Sequence, residues 1–139
     1  MKPILAAAIL AFAATPALSQ TPQALLDQAM LLGPAQMGDV GGQLTIFGQA
    51  GDAAYSADLS GPDCSASGAG CDQIRFTSIA PPADQSLVDA WIAAGHGGTL
   101  TLDQGWLQLT LEVAVGDDAQ AAFSDWNALL TQFAAVFDP

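Results

Sequence analysis

Thr99 to Val115 reads TLTLDQGWLQLTLEVAV, and these seventeen residues decide the fold. From Trp106 onward, Leu107, Leu109, Leu111, Val113 and Val115 alternate with Trp106, Gln108, Thr110, Glu112 and Ala114. A period of two over ten residues is that of a strand with one buried face. Leu100 and Leu102 continue the same phase before it. With Gln104-Gly105 as a two-residue turn, Asp103 faces Trp106, Leu102 faces Leu107 and Leu100 faces Leu109. All the leucines then share one face, and Gly105 provides the positive φ that such a turn demands.

The strongest helical pattern in the chain follows. Asp117-Asp118 suits a helix N-terminus by capping and by dipole. Ala119, Ala122, Phe123, Trp126, Leu129, Leu130, Phe133, Val136 and Phe137 then form a continuous stripe, able to cover the greasy face of the hairpin.

Upstream, Thr21-Pro22 opens a short helix whose stripe is Leu25, Ala29 and Leu32, and Gly33-Pro34 closes it. The glycine-bearing stretch to Gly42 is too polar to count as a core strand and has room only for a short edge strand. Strands are expected at Gln43–Gly48, Ala53–Ser60 and Asp72–Ala80. Asp84 stands where it can cap a second helix carrying Leu87, Val88, Trp91 and Ile92, which Gly95 ends. The expectation is one α+β domain over residues 20–139. Its order is α-β-β-β-α-β-β-α, an antiparallel sheet of about five strands with helices on one face.

Residues 1–19 are set apart from that domain. Lys2, the apolar run Ile4–Ala14 and the small-x-small Ala17-Leu18-Ser19 have the form of a secretory signal peptide. Export to the periplasm or the medium is therefore expected, with no membrane attachment after cleavage. Cys64 and Cys71, with six residues between them, then read as a local disulfide worth about 2 kcal/mol. If the two cysteines face each other across paired strands, Leu59 faces Phe76, Ala57 faces Ser78, and Arg75 lies diagonal to Asp58.

Without Lys2, one strong base, Arg75, stands against 14 acids, a formal charge of −13. Such a chain repels nucleic acid and favours cationic partners. No chemistry-bearing motif emerges. His96, the only histidine, lies in a glycine loop with no nucleophile signature nearby, which reads as an exposed loop residue. The acids lack calcium-loop spacing, and one histidine with two cysteines is too few for a zinc site. No catalytic, metal or cofactor residues are assigned. Trp106, Gln108 and Thr110, on the face away from the leucines, are the candidate partner surface. Trp106 has a second reading, as a shield over the turn.

The second half of the chain resembles the YbjN family of bacterial sensory transduction regulators. The carrying features are DLSGPDC…CDQIRF, the helix segment Leu87-Val88-Asp89-Ala90-Trp91, a hairpin whose first strand ends on Asp103, and the closing FSDWNALLTQFAAVF. The chain departs from the pattern at Ile92, where many relatives carry asparagine. It departs again at Gly95-His96-Gly97-Gly98, where they often carry basic and aromatic residues. The resemblance implies a fold similar to type III secretion chaperones and a non-enzymatic module that binds a protein, which the charge suggests is basic. A homodimer is a second arrangement open to it. The competing class is a secreted hydrolase using paired carboxylates.

Overall fold

The computed structural model describes residues 20–137, apart from 67, 69 and 117 and the side chain of Phe137. The signal-peptide expectation for residues 1–19 therefore lies outside the described residues, as does the capping role of Asp117. The elements run α1 (Pro22–Leu32), β1 (Ala35–Val40), β2 (Gln43–Ala50), β3 (Ala53–Ser60), β4 (Gln73–Ala80), α2 (Gln85–Ala93), β5 (Thr99–Asp103), β6 (Trp106–Ala114) and α3 (Ala119–Phe137). The strands form one open antiparallel sheet in the order β1-β2-β3-β4-β6-β5.

Six strands stand where about five were expected. The extra one, β1, is the polar edge strand, and it pairs with β2 through Gly41 and Gly42, at φ +61° and +90°. A Gly-Gly pair with two positive φ values suits a primed hairpin turn, and the Asp39 carboxylate accepts from the Gly42 N–H at 2.8 Å. β1 occupies the stretch where a short edge strand had room, and because an edge strand buries little its composition left it outside the count of about five. On its open side the Phe47 ring lies over Gly38, where an added Cβ would meet it at 2.9 Å.

The β5–β6 hairpin has the expected register: Asp103 opposite Trp106, Leu102 opposite Leu107, Leu100 opposite Leu109. Gly105 sits at φ +89°, and Gln104 adopts φ +56° as well. The β3–β4 pair departs from expectation by two residues. Leu59 faces Ile74, Ala57 faces Phe76, and Arg75 lies directly opposite Asp58. The shift arises because the cysteines do not face each other in the ladder. Asp63 and Gly70 continue it as an isolated bridge, and Cys71 instead bridges Gln20. A shift of two preserves side-chain parity, so the apolar faces still coincide. Although they face each other, Arg75 and Asp58 form no ion pair. Arg75 approaches Glu112 at 3.8 Å, both side chains more than half exposed, and Asp58 accepts from the Thr45 hydroxyl at 2.9 Å. An ion pair that exposed contributes little.

The core lies between one sheet face and the helices. Ile46, Ala57, Phe76, Leu107 and Leu109 from the sheet, Leu25 and Ala29 from α1, and Phe123 and Trp126 from α3 are all at most 1% exposed. Thr21 caps α1, accepting from Ala24 N–H at 3.0 Å, and Asp118 caps α3, accepting from Ala121 N–H at 3.1 Å. Asp84 occupies the N-cap position of α2 but its side chain makes no capping bond. Within α2, Val88 and Trp91 are buried and Ile92 is exposed.

Candidate functional site

The helices cover one face of the sheet and leave the other open. On that outer face the side chains of Ser56, Thr77, Thr110 and Thr99 form a row of cross-strand partners. Beside it runs a second row, Ile79–Gln108–Thr101, and the Trp106–Asp103 pair follows next to the turn. Ile79 is 62% exposed and Trp106 50% exposed. Two large apolar side chains thus stand half out of the sheet at one corner, where the strand pattern alone leaves them.

Trp106 and Gln108 from the candidate surface share a groove of about 370 Å³ with Ile79, Asp103 and Gln104. Thr110, the third residue, lies outside that groove, in the threonine row. Ile79 and Asp103 were missed as surface residues although the signal was present. Ile74, Phe76 and Ser78 face inward, so Ile79 must face out, and the hairpin register sets Asp103 across from Trp106.

A hollow of about 630 Å³ among the described residues lies between the end of the sheet and α3, with Ala50, Ala80, Leu130 and Phe133 among its walls and Asp52 its only charged lining residue. Neither this hollow nor the groove at Trp106 is lined, among the described residues, by two carboxylates. Among the described residues no three of His, Cys, Asp and Glu gather as metal ligands would.

His96 is half-buried rather than exposed. Its ring stacks on Trp91 with centroids 4.1 Å apart, and Nδ1 lies 2.8 Å from the Gln132 side-chain oxygen. It therefore ties the α2–β5 loop to α3. Such a packing role was illegible in the sequence because Gln132 lies 36 residues away.

Cys64 and Cys71 sit at disulfide-bonding distance, their Cα atoms 4.5 Å apart. The Gln20 backbone exchanges two hydrogen bonds with Cys71, at 3.0 and 3.1 Å, and its side-chain amide donates to the Gly116 carbonyl at 2.9 Å. The bridge thereby anchors the segment entering α1. A cysteine pair of this kind suits an oxidising, extracellular location. No helix among the described residues is long and apolar enough to cross a membrane.

Among the described residues, Tyr55 is the group whose acidity is strongly displaced. Burial pushes its phenol from 10.0 up to about 12. Its hydroxyl lies over Gly48, where an added Cβ would meet it at 2.8 Å, and has no hydrogen-bond partner among the described residues. A raised pKa means that the fold favours the protonated phenol. The associated stability is fully present below about pH 10 and is lost as pH rises towards about 12. Tyr55→Phe should remove that alkaline decline. It should also raise stability at neutral pH by about 1 kcal/mol, since an unpaired buried hydroxyl goes. Urea titrations of both proteins across that pH range check this. An unchanged alkaline slope would mean that other groups cause it.

The chain matches no family model, no curated protein and no solved structure.

Proposed function

We propose that this chain is an exported, non-enzymatic binding module of the YbjN type, with a fold similar to type III secretion chaperones, whose open sheet face engages a basic protein. The observation that carries the reading is the half-exposed Trp106 beside exposed Ile79 on a face without helices. A buried aromatic would need no explanation. One held out on a rigid strand offers a contact anchor at low entropic cost. The formal charge of −13 after loss of Lys2 supports a cationic partner and opposes nucleic acid. The element order supports the chaperone-like fold, with β1 as an addition at the edge.

Crosslinking and capture in the native host test the reading, followed by binding kinetics on the captured protein. Association should slow several-fold as salt shortens the Debye length from about 10 Å at 0.1 M to about 3 Å at 1 M. Trp106→Ala should mainly speed dissociation. Salt-independent association would remove the charge argument. A Trp106→Ala variant that binds like the parent would remove the surface. Turnover in a glycoside and ester screen would overturn the non-enzymatic reading and restore the carboxylate hydrolase.

A further inference from the structure

We infer that the groove between Trp106 and Asp103 is a receptor for a single arginine side chain presented by the partner, an inference that rests on the binding reading above. The groove brings together a half-exposed indole, a carboxylate opposite it in the hairpin register, an apolar wall from Ile79 and an amide from Gln108. These groups match the parts of an arginine. An indole face attracts a cation through its quadrupole, most strongly when the cation is weakly hydrated and planar. A carboxylate accepts two parallel N–H bonds from a guanidinium. Ile79 can cover the methylene stem, and the Gln108 carbonyl can take a remaining N–H.

The charge pattern excludes the opposite ligand. Asp103 is the only charged residue lining the groove. Arg75 is the only strong base among the described residues; it sits opposite Glu112, six residues and about 20 Å along β6 from Trp106. An anion would meet repulsion with nothing to offset it. Among the described residues Asp103 makes no ion pair that would compete with an incoming cation. The turn between the two recognition residues is only Gln104-Gly105, with both φ values positive, so the spacing between indole and carboxylate is set before any ligand arrives.

The test is a titration of the folded protein with a capped Gly-Arg-Gly peptide and its citrulline and lysine counterparts, followed by the indole N–H signals in NMR. Arginine should move the Trp106 signal saturably and leave those of buried Trp91 and Trp126 in place. Citrulline, the neutral isostere, should bind at least tenfold more weakly, and lysine several-fold more weakly. Asp103→Asn should weaken the arginine peptide by a similar factor, and Trp106→Leu, which lacks the reporting indole and is followed by calorimetry instead, should show no binding. Unmoved Trp91 and Trp126 signals in each variant confirm that the fold is intact. Equal binding of arginine and citrulline, or full binding by Asp103→Asn, would overturn the inference. Captured partner whose hold depends on Trp106 but not on Asp103 would also overturn it and leave the wider binding reading standing. Arginine selectivity in a chain that captures no protein would remove the wider reading instead.

Discussion

Trp126→Ala should lower the unfolding free energy by about 3–5 kcal/mol, the cost typical of truncating a fully buried tryptophan. Trp126 is 0% exposed. Its ring stacks on Phe76 with centroids 5.0 Å apart and planes at 12°, and Tyr55 meets it edge-on at 6.0 Å. Phe76 in turn meets Phe123 edge-on at 5.2 Å. Removing the indole therefore opens a hole where β3, β4 and α3 come together, lined by rings too rigid to collapse into it. The Trp126 indole N–H has no hydrogen-bond partner among the described residues, so no polar neighbour is stranded and the loss is one of packing. A domain of this size is typically stable by about 5–15 kcal/mol, so the variant should lose a large share of the total. A urea titration should show a lower midpoint at unchanged slope. A loss below about 1 kcal/mol would mean that Trp126 is not the centre of this core.

Leu109→Ala should cost about 2–5 kcal/mol, while Thr110→Ala, one residue along and on the opposite face, should cost far less. Leu109 is 0% exposed and lies between Ser78 on β4 and Leu100 on β5. Thr110 is half-buried, between Thr77 and Thr99 on the outer face. The pair tests side-chain alternation directly, because a register slipped by one residue would exchange the two effects. Equal losses in urea would refute the facing of β6.

Much of the architecture was legible where a periodic pattern and a turn residue agreed. The β5–β6 hairpin is the clearest case, since seven alternating residues and one glycine permit a single register. The α3 stripe is similar: Ala119, Ala122, Phe123, Trp126, Leu129, Leu130 and Phe133 are all buried, and the pattern fades at Val136, 36% exposed. Legibility failed where burial was slight or the partner distant. β1 was legible only as room for a short edge strand and stayed outside the count of about five, because an edge strand needs no apolar alternation. The β3–β4 register escaped because a local cysteine pair suggests a rung of the ladder, whereas Cys71 pairs with Gln20. Of the candidate surface, Trp106 and Gln108 share the groove and Thr110 does not, since alternation assigns a face but not a neighbourhood on it.

The sequence by itself determined which way each strand faces, where the helices begin, and that the charge is almost all negative. Those are local properties, settled by side-chain period, capping groups and composition. Only the tertiary structure decided which strand of the hairpin joins the rest of the sheet. β6 docks against β4 and leaves β5 at the edge, because β6 is the longer strand, and eight of its residues find partners along β4. That choice places Ile79 beside Gln108 and builds the groove at Trp106. No local pattern encodes it, because it depends on α2 carrying the chain past the β5 position before the hairpin turns back.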